Sequence, residues 1–473
     1  MAVAAPPRVS SNPALRVLGD IVSERRAQGV FPPGPNNFSI ARTQQVAHDP
    51  LSVLLPLYEE HGPIFSLRIL HGRVVFMLGP EANHYVTVSH ANTFSWREGS
   101  FGDLIPLLGD GLLTIDGDHQ KRARRIMLPA FHSRQVAGSI DVMLEEAGAA
   151  LDSWAPGQVV DAYGWMRELA MRIAMRALLG LDPDDGGHGR EAALAFEEAL
   201  SFYGTDFPKR LIRGPGSPWR RMTRARAEID RIVYAEVEAR RANPDSQATD
   251  IMSMLIQATD EDGTGLSDKE IRDQVVTLMF AGHDTSTSTL SFLLYELSKN
   301  PHVLEGLWEE QDRVLGQAPP TAENLVRDLP RLDMALDETL RLYPPAWIGP
   351  RRAVEDFEFG GHRVRAGTYV NYCSWASHRI PEVFPEPEAF IPERFTPEAK
   401  AALPKGAYIP FGGGSRTCIG MRFGQLEIKA VATLLLQRHR LELMPGRTMT
   451  IRQMPTLSPT GGLPMRVRER AAA

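Results

Sequence analysis

The chain has 473 residues, 43% hydrophobic and 23% charged, with a net charge of −6. That is the balance of a water-soluble globular protein, and the negative charge argues against binding nucleic acid through an overall basic surface. Two cysteines, Cys373 and Cys418, exclude a disulfide framework and any metal site built from several thiolates. Only seven of the 52 basic residues are lysine, a skew that reflects GC-rich codon usage and carries no mechanism.

Residues 1–13 are rich in Ala, Pro and Ser. Ala14 to Val30 has helical periodicity, but Arg16, Asp20, Glu24, Arg25 and Arg26 interrupt it, so it reads as neither a signal peptide nor a membrane span. A cytoplasmic protein without a membrane anchor is expected. Phe31-Pro-Pro-Gly-Pro35 is stiff and turn-rich, so residues 1–34 read as an N-terminal extension with a proline-rich hinge.

Two hairpins follow from local patterning. Ile64–Leu70 and Val74–Leu78 flank a turn at His71-Gly72, and Asp356–Phe359 and His362–Val364 flank Gly360-Gly361. A further strand is expected at Thr368–Trp375. Helical segments are expected at about 134–154, 160–180, 190–206, 217–242, 267–299, 328–343 and 418–438. The longest opens on Ser267 with Glu270 three residues on, a capping box, and ends before Asn300-Pro301. It is too apolar for a surface helix and should cross the core. Residues 381–412 hold seven prolines and should form packed, irregular coil. No strand leads into GxGxxG and no Walker loop occurs, so no nucleotide or flavin domain is expected.

The most informative string is Phe411-Gly-Gly-Gly-Ser-Arg-Thr-Cys-Ile-Gly420. Its glycines let the backbone take positive φ and approach a flat ligand. Cys418 precedes a helix, whose free N–H groups and dipole favour a thiolate. Arg416 offers charge to an acidic group nearby. The set suits a soft, anionic axial ligand for haem iron. The competing interpretation, a structural cysteine in a glycine turn, does not account for Phe, spaced Gly, Arg, Cys and Gly holding position together.

This string resembles the haem-binding signature of cytochromes P450, FxxGxRxCxG, at every defined position. The likeness spans roughly 35 to 470, because further motifs fall in the family's order. It implies a mainly α fold with small β-sheets (α+β), one large domain over 35–473 with a buried haem b, and Cys418 as the iron ligand. Length alone suggests about three domains, but motifs spread from 120 to 420 must serve one haem. Cys373 falls to ordinary core.

The resemblance also assigns the other motifs. Glu338-Thr-Leu-Arg341 matches the ExxR pair, which with Arg394 of Phe390-Ile-Pro-Glu-Arg-Phe forms a buried ionic knot of structural role. Ala281-Gly-His-Asp-Thr-Ser286 matches the oxygen-activation motif, with Thr285 as the hydroxyl serving dioxygen and Asp284 as the proton relay. A local kink is expected at Gly282, and His283 is expected to serve helix packing or surface contact rather than to ligate. Arg351, Arg416 and Arg124 are the expected partners of the haem propionates. Gln120 stands where the family has Trp or His, with His119 one position early, and a glutamine can still donate a hydrogen bond there. Phe411, Gly412, Gly420 and Ala281 complete the expected cofactor contacts.

The likeness places substrate contacts at Leu104, Leu108, Phe202, Met279, Phe280, Trp347 and Leu457, an apolar set that suits a terpenoid, fatty acid or steroid-like molecule. Arg210 and Arg213 lie in the loop Pro208–Pro218, which should act as a mobile lid. Lys121, Arg122, Arg125, Arg422 and Lys429 are expected to form a basic docking patch for a redox partner. The implied activity is O2-dependent monooxygenation by a monomer of soluble bacterial type. Electrons would come from a separate ferredoxin or flavodoxin and its NAD(P)H-dependent reductase. A peroxide-driven peroxygenase and a non-catalytic haem-thiolate sensor are the rivals.

Overall fold

In a computed structural model of the chain, residues 13–26, 30–185, 187–205, 207–245, 248–446 and 449–470 are described. The leader through residue 12 lies outside them. The structure divides into two compact units, whose residues alternate along the sequence.

The first unit comprises residues up to 121, 341–389 and 397–418. It is organised by a five-stranded sheet. Ile64–Ile69 pairs antiparallel with Gly72–Met77, which pairs parallel with Tyr369–Cys373; then come Ile348–Ala353 and, at the far edge, Phe94–Ser95. Branched and aromatic side chains favour these strands, and Ile64, Val75, Met77, Val370 and Tyr372 share one buried cluster. The first hairpin turns at Leu70-His71, one residue earlier than the pattern indicates, with Leu70 at φ +50°. The second hairpin turns at Gly360-Gly361 as expected, both at positive φ. The Tyr369 strand ends at Cys373 and gives way to a helical turn, Ser374–Ser377. The helix Pro13–Arg26 is tied to the sheet by Asp20 and Glu24, which pair with His71, Arg352, Arg68 and Arg73.

The second unit comprises 122–340, 390–396 and 419–473. At its centre is the helix Asp268–Lys299, with the capping box at Ser267 and Glu270 in place. It packs on Ala162–Leu179, Met421–Arg438 and Pro218–Ala242. Its helical hydrogen bonding spans the whole motif, Gly282 included. Asn300 closes this helix and opens the next, Pro301–Val314, because proline at N1 starts a helix as readily as it stops one. The helix expected at 134–154 is two, Ser133–Ala137 and Ile140–Leu151, parted at Gly138-Ser139. Among the described residues, no helix is long and apolar enough to cross a membrane.

Candidate functional site

The loop ahead of Cys418 is shaped by its glycines. Gly412 and Gly414 have φ of +71° and +61°. A Cβ on Gly413 would sit 2.6 Å from Thr87 Oγ1, and one on Gly414 2.4 Å from the Thr87 carbonyl. Only glycine allows both the turn and the close packing. The Cys418 amide donates to the Phe411 carbonyl at 2.9 Å, closing the loop, and the cysteine is exposed. The following helix starts at Met421 with Gly420 as its N-cap, two residues later than the pattern suggests. Cys373 is fully buried, and burial pushes its thiol up to about 12. A group so hard to ionise is a poor metal ligand.

Behind the loop, His378 fixes the chain. Its Nδ1 lies 3.2 Å from the Arg341 carbonyl, and its Nε2 accepts from the Ile409 amide at 3.0 Å. Burial and the neighbouring Arg341 push it down to about 3, so it stays neutral. Arg341 itself donates to the carbonyls of His378, Pro387 and Ala389. In the second unit, Glu338 accepts from the Ile391 amide at 2.9 Å and lies 3.4 Å from Arg394.

Three of the expected cofactor residues come together in the first unit. Arg351, Arg416 and Gly412 line a cavity, with room for about one water molecule, alongside Trp96, Tyr372 and Thr87. Arg351 is completely buried in the strand Ile348–Ala353, and burial drives its pKa below the usual arginine value. Its guanidinium stacks 3.7 Å from the Trp96 ring centre and 5.2 Å from that of Tyr372, and among the described residues no carboxylate forms an ion pair with it. A buried cation held by ring faces is set up for an anionic ligand. Gln120 is also buried, and its Nε2 has no hydrogen-bond acceptor among the described residues. An exposed cysteine, a desolvated guanidinium and an orphaned amide donor fit the thiolate and carboxylate needs of haem. Arg124 lies in the second unit, partly buried on the helix Gly117–Met127.

The central helix of the second unit carries the acid and the hydroxyl. It is buried from Ser286 to Leu294, but Phe280, Ala281, Gly282 and Thr285 are only partly buried. Thr285 Oγ1 donates to the Ala281 carbonyl at 2.7 Å. Asp284 is buried and accepts from Arg167 Nη1 at 2.6 Å; Arg167 Nη2 reaches Glu197 at 3.0 Å. Burial pushes Asp284 up, but His283, 3.4 Å away, and Arg167 outweigh it and hold the carboxyl below its ordinary value. His283 is fully buried against the Arg167 carbonyl at 2.9 Å, as expected for a packing residue.

Sequence reasoning missed Trp96, Asp116, Arg167, His378 and Glu427. Glu427 had a usable signal, since it lies on the helix Met421–Arg438 amid Leu426, Ile428 and Ala430. It is fully buried, Ser286 Oγ donates to it at 2.5 Å, and both line a small cavity with Met166 and Leu290. Burial, opposed only by that hydrogen bond, raises the carboxyl from 4.5 to about 8. Between those values the native state holds a proton that the unfolded chain releases, so Glu427 costs stability as pH rises through that window. Glu427→Gln is expected to gain at least about 1 kcal/mol on the parent protein from about pH 5 to about pH 8. Unfolding midpoints across that range check it, and a constant difference would mean the two states hold the proton equally.

The remaining expectations divide. Lys429 is no surface cation: it is buried and pairs with Asp333 at 2.6 Å. The helix is buried from Leu426 to Leu436, so Lys429 meets a partner within the protein, whereas Arg422 near its start is exposed. Arg122 pairs with Asp260 and Glu270, while Arg125 meets Glu261 only in an exposed pair at 3.6 Å, and Lys121, like Arg422, is exposed. Of the proposed substrate contacts, Leu104, Leu108 and Trp347 are buried in the first unit. Phe202, Met279 and Leu457 are buried in the second, with Phe280 partly buried against the edge of Tyr203. Arg213 lies over the Trp219 ring, 4.0 Å from its centre.

The sequence model of the family described as Cytochrome P450 matches residues 30–464. The chain belongs to that family and is a cytochrome P450 monooxygenase; the family's cofactor is haem. It is 34% identical to Putative cytochrome P450 139 of Mycobacterium tuberculosis, over 89% of this chain and 98% of the relative. It is 33% identical to Cyclooctatin synthase of Streptomyces melanosporofaciens, over 89% of this chain and 91% of the relative. Cyclooctat-9-en-7-ol 5-monooxygenase of the same organism is also 33% identical, over 87% and 89%. Among solved structures, retinoic acid-bound cyanobacterial CYP120A1 superposes with a TM-score of 0.81 at 29% identity, covering 93% of this chain and 99% of that one. The haem domain of cytochrome P450DA gives 0.83 at 29% identity, covering 93% and 97%. The mainly α fold with small sheets is that of the family.

Proposed function

We propose that residues 35–473 act as one catalytic domain that binds haem b through Cys418 and oxygenates a hydrophobic, terpenoid-like molecule. Bound haem supplies dioxygen activation and oxygen insertion into a C–H bond, and a cysteinate ligand favours O–O cleavage. The chain supplies the rest. Arg351, Arg416, Arg124 and Gln120 hold the haem carboxylates, with Phe411, Gly412, Gly420 and Ala281 against the macrocycle. Thr285 Oγ1 offers its proton to oxygen, and Asp284 resupplies it. The observation that carries this reading is the buried Asp284 beside a partly buried threonine, linked through Arg167 to the more exposed Glu197. For Asp284 to pass a proton, its Oδ1 must exchange Arg167 for a proton donor.

Substrate class is supported by the relatives named for cyclooctatin formation, by a structural neighbour that holds retinoic acid, and by the apolar Leu104, Leu108, Phe202, Met279, Phe280, Trp347 and Leu457. Electrons would come from a ferredoxin or flavodoxin with its NAD(P)H-dependent reductase, in the cytoplasm, to a monomeric enzyme. Terpenes, fatty acids and retinoids screened by the Soret shift would identify ligands, to be followed by turnover with ferredoxin, reductase and NADPH. Product with peroxide but none with the redox chain would replace this reading with a peroxygenase. Thr285→Ala is expected to bind substrate as the parent does while diverting most electrons to hydrogen peroxide. Unchanged product per NADPH would rule out the hydroxyl's role.

A further inference from the structure

Asp116 sits at the centre of an arrangement that no motif announces. Its Oδ1 accepts from the Trp96 amide at 3.1 Å and from Arg416 Nη2 at 2.6 Å. Its Oδ2 accepts from Ser95 Oγ at 2.6 Å and from the Arg97 amide at 3.1 Å. One carboxylate thus folds the 95–97 turn and fastens it to the thiolate loop. The Trp96 ring set by that turn stacks on Phe101, with ring centres 5.1 Å apart, and carries two guanidiniums, Arg351 at 3.7 Å and Arg416 at 5.0 Å. The turn lies close on the strand bearing Arg351: a Cβ on Gly99 would meet the Arg351 Cα at 3.0 Å.

Resting on the haem reading above, we propose that Asp116 and Trp96 are the positioning residues that aim Arg351 and Arg416 at the haem carboxylates. Two arginines and one aspartate leave one net positive charge at the cavity both arginines line. Desolvation makes that cluster costly without an anion, and the Trp96 ring offsets part of the cost through its negative face. The ring face stabilises Arg351 without neutralising it, so that guanidinium stays available to an incoming carboxylate, while Arg416 is held on Asp116 and on the Leu112 and Ile115 carbonyls. Asp116 fixes Arg416 from the side, and its own negative charge lowers the potential at the site.

The test uses holoenzyme of the parent protein, Trp96→Phe, Trp96→Leu and Asp116→Asn. Trp96→Leu is expected to speed haem transfer to excess haem-free myoglobin by about tenfold, and Trp96→Phe, which keeps a ring face, by no more than about twofold. Asp116→Asn is expected to shift the ferric/ferrous midpoint potential upward, since it removes a negative charge and releases Arg416. Equal haem loss from both Trp96 variants, or an unchanged potential in Asp116→Asn, overturns the proposal. If Trp96→Leu does not fold, the potential of Asp116→Asn decides alone. Failure of the haem reading is distinguishable, because the parent protein would then lack a thiolate-type spectrum before any substitution.

Discussion

Cys418→Ser is expected to abolish oxygenation and to remove the red-shifted Soret band of the reduced carbon monoxide complex. The loop makes the effect specific. Its closure rests on the Cys418 amide, the Phe411 carbonyl and the glycine turn, all backbone features that serine preserves. What changes is the atom offered to iron: a serine hydroxyl stays protonated at neutral pH, and it lacks the soft, electron-rich sulfur that favours O–O cleavage. Cys373 does not substitute, being fully buried with its thiol pushed up to about 12. Retention of product and of the red-shifted band would remove Cys418 from the iron.

Glu338→Ala is expected to destabilise the protein by about 3–5 kcal/mol, since it breaks a buried ion pair from one side. The carboxylate is fully buried, faces Arg394 at 3.4 Å and accepts the Ile391 amide at 2.9 Å. Alanine leaves both without this acceptor in a site that water does not reach freely. Glu338→Gln keeps an oxygen for Ile391 and loses only the charge, so it should cost less than alanine. Denaturant titration of both variants reads the difference. A cost under about 1 kcal/mol for alanine would mean that the pair does not hold this segment together.

What the sequence disclosed was local. The Gly360-Gly361 hairpin, the capping box at Ser267 and the glycine loop before Cys418 each sit within a few residues and obey turn or cap chemistry. A helix was missed where Asn300 closes one and opens the next, and a boundary was missed where a glycine divides an apolar stretch, as at Gly138. The support of the site was hidden because its partners are far apart in sequence. Asp116 and Arg416 are 300 residues apart, and Arg167 and Asp284 are 117 apart. Composition cannot pair them. Lys429 also misled, since a charged residue on a helix implies a solvated face, and this one is buried. The motif residues could be named from the sequence, whereas the side chains that orient them became visible only in the fold.

Iron K-edge X-ray absorption on the purified holoenzyme tests the central claim most directly. The account predicts one sulfur scatterer in the iron's coordination sphere, lost in Cys418→Ser. An iron bound only by nitrogen and oxygen in the parent protein would contradict it.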